Sequence, residues 1–263
     1  MRWKKTIKIA VTIVLVTAIA YVGDIFLGNP ISYGIVKWHS RQYIQETYPN
    51  LDLRVENIYH DWYNGGGYDV RIVSDASRDT KFELAYNRLG QLVWDGYEMA
   101  VASGRNTWSR LYEEYTALVC DVATAVFEES SCYAGLSVID EYSLKATPLP
   151  EGIHMAELEL DQAYDVAALG GRYGYISLNL IMEPEELTIA NVAELLISFH
   201  DELIKRNIGY VMIDLFAIAK DTKDPDRSIG IHGITADDLN AENAAQRLEQ
   251  MYREQLSYWN SPK

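Results

Sequence analysis

The chain reads as an α+β protein: an N-terminal transmembrane helix, then a helix-plus-antiparallel-meander module, then a second, mixed α/β module. Three observations predict this. Arg2, Lys4, Lys5 and Lys8 lead into fourteen uncharged residues, 9–22. Residues 51–95 contain short runs that alternate apolar and polar with period two. Beyond residue 104, apolar residues at helical spacings of three and four take turns with strand-like runs. The expected divisions are 1–27 for a cytoplasmic stub and membrane anchor, 28–103 for the helix and meander, 104–150 for a long helix and connector, and 151–263 for the mixed module.

Lys and Arg resist translocation, so the basic leader places the amino end in the cytoplasm and the bulk of the chain outside. Residues 7–27 supply about the 20 residues that a span needs, with Lys8 snorkelling inward. A cleaved signal peptide is the alternative, since Ala18-Ile19-Ala20 fits a small-x-small cleavage site. A buried N-terminal helix of a cytosolic protein is a third reading, and the one-sided charge opposes it. The expected localisation is the cell membrane, single-pass, and the bilayer is the expected partner of the N-terminal helix.

Gly28-Asn29-Pro30 starts a helix, with Asn29 as cap and Pro30 at the first position, and Pro49 ends it. Ile31, Ile35 and Trp38 share one stripe of this helix. Leu51, Leu53 and Val55 alternate with charged residues until the phase breaks at Asn57, which predicts a bulge. Residues 64–67, Asn-Gly-Gly-Gly, form a loop. Tyr68, Val70 and Ile72, then Phe82, Leu84 and Tyr86, give two more strands, and residues 92–94 a short fourth.

A long helix is expected over 106–127, with Trp108, Leu111, Tyr115, Leu118, Val122 and Val126 on one side. Residues 130–135 break it. The last part reads as a strand over 153–160 and a short helix over 161–169 capped by Asp161 and ended by Gly170-Gly171. A strand over 173–182 follows, then a helix over 188–206 and an apolar strand over 210–219. After a strand over 228–234, Thr235 and Asp238 form a capping box for the final helix. Outside the membrane a Cys120–Cys132 disulfide is chemically allowed; buried free thiols are the preferred reading, because Cys120 lies mid-helix and the chain has to double back to bring the pair together.

Several of these signals together resemble the YfjL-like proteins of bacilli and relatives. They are the basic anchor, the Gly28-Asn29-Pro30-Ile31 helix start, the Tyr48-Pro49 stop and the strand from Leu51 to Val55. The Asn106-Thr107-Trp108 helix start, the stretch from Gly170 to Tyr175 and the run from Gly209 to Asp214 add to the likeness. The resemblance implies a membrane-anchored, extracytoplasmic protein with no assigned activity, and it carries over no catalytic residues.

The net charge is −15, and residues 28–263 hold 19 basic and 37 acidic side chains, a balance of −18. Such a surface repels nucleic acid, which is excluded as a partner, and anionic lipid headgroups. No HExxH, GxSxG or phosphate-cradling glycine motif occurs, so no catalytic residue and no cofactor is assigned. His60 and Asp61, at a strand end beside Trp62 and Tyr63, are candidate binding residues. Asp214 is another, as an acid inside an apolar strand. His200 reads as a surface residue flanking Phe199. Asp221, Asp224 and Asp226 are candidate calcium ligands on a loop. They fit the EF-hand spacing poorly, because position 12 from Asp221 is His232 and Pro225 occupies the turn; a solvated acidic loop is the simpler reading.

A clear anchor without a catalytic constellation points to an accessory or binding protein of the bacterial cell surface. The partner would be a protein, a peptide or a wall polymer. The alternatives are a wall- or peptide-directed hydrolase with dispersed carboxylates, and a membrane-linked sensor or regulator.

Overall fold

The structure is a computed structural model and describes residues 2–63, 66–139, 152–220 and 228–259. It is α+β and divides into two compact units, Met1–Thr107 with Glu159–Asp161, and Trp108–Leu158 with Gln162–Lys263.

Unit one begins with α1 (Arg2–Leu27), an uninterrupted helix of 26 residues, about 39 Å long at 1.5 Å per residue. Among the described residues, no helix is long and apolar enough to cross a membrane. Every side chain described between Ile7 and Thr17 is exposed, so this stretch of α1 buries no face in the protein. Helix α2 (Pro30–Thr47) starts where expected, with Asn29 Oδ1 accepting from the Ile31 N–H at 2.8 Å. Four strands follow, β1 (Leu53–Asp61), β2 (Gly67–Ser74), β3 (Lys81–Tyr86) and β4 (Leu92–Asp95), paired in that order as an antiparallel meander. The predicted bulge is present, as the β1–β2 register shifts between Val55 and Asn57.

The apolar stripe of α2 differs from expectation. Val36, Ser40 and Ile44 are buried, whereas Ile31, Ile35 and Trp38 are exposed. The helix carries two apolar stripes, and packing against the sheet selects the one centred on Ser40, whose hydroxyl is satisfied by the Lys37 carbonyl at 3.3 Å. Tyr68, Val70, Ile72, Phe82 and Leu84 supply the sheet side of this core. At the other edge, Asp95 Oδ2 accepts from the hydroxyls of both Tyr43 and Tyr48 at 2.7 Å.

Unit two is built on a mixed four-stranded sheet of order β10-β9-β8-β5. Its elements are α3 (Arg105–Val126), β5 (Ser130–Leu136), β6 (Val138–Ile139), β7 (Ile153–His154), α4 (Val166–Tyr173), β8 (Gly174–Met182), α5 (Ile189–Lys205), β9 (Met212–Ala219), β10 (Ser228–Ile234), α6 (Ala236–Asn240) and α7 (Ala244–Trp259). β8 and β9 are parallel, with α5 between them in sequence. β5 and β10 flank them antiparallel. One sheet face is buried through Leu136, Ile176, Leu178, Leu180, Ile213, Leu215 and Ile231, which cluster with Leu111, Tyr115 and Val119 of α3 and Leu196 and Phe199 of α5.

Six expectations are corrected here. Residues 130–136 form an edge strand rather than a plain break. The chain turns back after Phe127, so Cys132 meets Cys120 in a disulfide with 5.4 Å between Cα atoms. The strand expected over 153–160 stops at His154 and becomes a turn of 3-10 helix, Met155–Glu157. The short helix is capped by Asp165, not Asp161, and runs through both glycines. Gly170 serves close packing there, since a Cβ would collide with the Tyr115 ring and the Gly209 carbonyl. On α3, Leu118 is exposed while Val119 and Ala123 are buried. The Thr235–Asp238 capping box exists, but it caps α6, and α7 is a separate helix.

Candidate functional site

The sequence candidates fall in different surroundings. Asp214 is not enclosed by the core. Strand β9 buries Ile213, Leu215 and Ala217, so the even-numbered side chains face outward. Its carboxylate accepts from the Gly233 N–H at 2.8 Å and lies 3.6 Å from His232 Nδ1. Asp221, Asp224 and Asp226 lie outside the described residues. Among the described residues, no group of three or more acidic, His or Cys side chains is placed to hold a metal. His200, expected at the surface, is buried instead, with Nε2 3.1 Å from Asn240 Oδ1 and Nδ1 2.7 Å from the Tyr210 hydroxyl. Both ring nitrogens are occupied by structural partners.

His60 and Asp61 lie in unit one at the β1–β2 hairpin. His60 packs edge-on against Tyr68, with ring centroids 5.2 Å apart. Asp61 closes the hairpin: its carbonyl accepts from the Gly66 N–H at 2.9 Å and its Oδ1 from the Tyr63 N–H at 3.1 Å. Asp61 also borders a pocket of about 460 Å³ lined by Gly67, Asp69, Ala85, Asn87, Arg88, Leu89 and Val93, together with Tyr68 and Tyr86. Small residues on neighbouring strands, Gly67 and Ala85, leave the space. The β3–β4 turn supplies a wall, held by Asn87 Oδ1 accepting from the Leu89 and Gln91 N–H groups at 2.9 and 3.0 Å.

Two carboxylates, Asp61 and Asp69, line this pocket. Partial burial, then the charges of Asp61 and Glu83, hold the Asp69 carboxyl above its usual range. Arg88 also lines the pocket, with its Nε buried, and offsets part of the negative charge. Asp69 and Arg88 went unrecognised in the sequence, because only the hairpin register brings positions 61, 69 and 88 together.

A second polar cluster, in unit two, was also unrecognised. Tyr112 of α3, Tyr133 of β5 and Tyr175 of β8 converge at Gly135, where an added Cβ would collide with the rings of Tyr112 and Tyr175. Ring centroids are 6.0 Å apart for Tyr112–Tyr133 and 6.1 Å for Tyr133–Tyr175. The Tyr112 hydroxyl is buried near the other two. Burial raises the pKa of Tyr112 and of Tyr175, whereas hydrogen bonding from these two neighbours lowers that of the exposed Tyr133.

Residues 3–96 match the family model described as the YfjL-like, N-terminal domain. Over that stretch the chain is similar to the YfjL-like N-terminal domain. The matched stretch contains α1 from its second residue onward, α2, the whole meander and the Asp61–Asp69 pocket. Among solved structures, a DUF5037 family protein from Ruminococcus gnavus is similar at 14% identity, over 81% of this chain and 87% of that one, with a TM-score of 0.23. No curated protein matches the chain.

Proposed function

We propose that this YfjL-like protein is a membrane-anchored, extracytoplasmic accessory or binding protein of the bacterial cell surface. In this reading α1 is the anchor, and the pocket of unit one takes a positively charged group of a protein, peptide or wall polymer. The observation that carries the reading is the uniform exposure of the apolar side chains described between Ile7 and Val16 of α1. Ile7, Ile9, Val11, Ile13, Val14, Leu15 and Val16 are each at least 53% exposed. An apolar stretch of helix that buries no face in its own protein needs another apolar surrounding. Transfer of such side chains from water is worth about 1–2 kcal/mol each, on the order of 10 kcal/mol for the seven.

Two further features support the reading. The basic residues before the apolar run favour an inside amino end. The Cys120–Cys132 disulfide suits an oxidising compartment outside the cytoplasm. The test is fractionation of cells that express the full chain, followed by a carbonate wash. The reading expects the chain to stay in the membrane pellet through the wash. Recovery of the full-length chain in the soluble fraction overturns it.

A further inference from the structure

The residues that follow α1 are fastened to the meander. The Tyr68 hydroxyl accepts from the Asn29 N–H at 2.9 Å and donates to the Asn29 carbonyl at 3.0 Å. Gly28 lies against His60, so that a Cβ there would stand 3.1 Å from the imidazole. The register pairs His60 with Tyr68 and Tyr68 with Tyr86. Both hairpins, at 61–67 and 87–91, therefore turn at the end of the sheet where α1 stops. Gly90 closes against Ile35 and His39 of α2, whose Nδ1 is 2.5 Å from the Gly90 carbonyl oxygen. This one end of unit one exposes Ile31 by 73%, Trp62 by 56%, Tyr63 by 81% and Leu89 by 73%.

We propose that this end is a membrane-apposed surface. Ile31, Trp62, Tyr63 and Leu89 enter the headgroup region of the leaflet from which α1 emerges. The inference rests on the anchoring reading above. It adds a second contact with the lipid, made by the globular part of the chain. Three physical points favour lipid over a protein partner. Trp and Tyr partition to the membrane interface, because their rings leave water while the N–H and O–H stay hydrated. Only Gly28 and Asn29 separate α1 from α2, and two residues span at most roughly 7 Å, so the rim cannot stand far from the helix end. The tether also makes the contact intramolecular, so weak insertion of a few side chains suffices. The Asp61–Asp69 pocket, which shares Leu89 with the rim, then opens at the membrane surface.

The test uses the full chain in phospholipid vesicles, with nitroxide labels on single introduced cysteines. The positions are Tyr63→Cys and Leu89→Cys at the rim, Val14→Cys in α1, and Asp75→Cys at the opposite end of the sheet. All four sites are exposed, and the bridged Cys120–Cys132 pair stays unlabelled. The readout is the ratio of collision with oxygen to collision with a water-soluble nickel chelate. The proposal expects that ratio to be several-fold higher at 63 and 89 than at 75, and highest at 14. A bilayer value at 14 with equal, aqueous values at 63, 89 and 75 overturns the apposed surface and leaves the anchor standing. An aqueous value at 14 overturns both.

Discussion

Opening the Cys120–Cys132 bridge perturbs one unit and leaves an internal control, because unit one contains no cysteine. The bridge closes a loop with a sequence separation of 12. On the chain-entropy account, releasing a loop of that length frees about 3 kcal/mol of unfolded-state entropy. For a unit of this size, 1 kcal/mol shifts Tm by about 2–4 °C, so unit two should melt roughly 6–12 °C lower. The variant is Cys120→Ser with Cys132→Ser, compared with wild type in thermal melts and in hydrogen exchange resolved by peptide. Exchange should accelerate in β5 and in the last turns of α3, while β2 and β3 of unit one stay protected. An unchanged Tm, or equal loss of protection in the meander, would refute the reasoning, because the bridge would then not be what holds β5 to the end of α3.

Three other outcomes follow from the packing and the charges. Asp69→Asn should raise stability at neutral pH: the raised pKa of Asp69 means the fold favours the protonated acid, a contribution fully present below about pH 4 and lost as pH rises through the folded value. The gain should vanish in melts run below about pH 4, and a gain that persists there contradicts the assignment. Gly135→Ala should cost about 1–3 kcal/mol by overpacking against Tyr112 and Tyr175. It should also raise the pKa of Tyr133 in an absorbance titration, as the hydrogen bonds from those neighbours loosen. Tyr68→Phe removes both hydrogen bonds to Asn29 and should cost about 1–3 kcal/mol in urea unfolding; no change would mean that the contact contributes nothing.

Elements whose signals are local were legible in the sequence. Helix α5 was readable because Thr188 caps it and Val192, Leu196, Phe199 and Leu203 keep the helical period into the core. The bulge beside Asn57 was readable because the alternation breaks there. The choice between the two stripes of α2 was not, since only the sheet decides which one is buried. Strand β5 was hidden because Ser130-Ser131-Cys132-Tyr133-Ala134-Gly135 has little alternation of its own, and pairing with β8 makes it a strand. The disulfide depends on the turn after Phe127, which no residue there announces. His60 and Asp61 were singled out as a strand-end pair, but their roles separate. His60 packs beside Gly28, and Asp61 closes a hairpin and borders the pocket. The pocket needs Asp69 and Arg88 as well, and register rather than spacing brings these together.

In the proposed topology α1 crosses the bilayer with its basic end inside and residues 28–263 outside. Protease treatment of spheroplasts carrying the full chain with a C-terminal tag tests this most directly. That topology predicts that the tag and residues 28–263 are digested in intact spheroplasts while a cytoplasmic marker protein survives. Full protection of the tag until the membrane is lysed would contradict it.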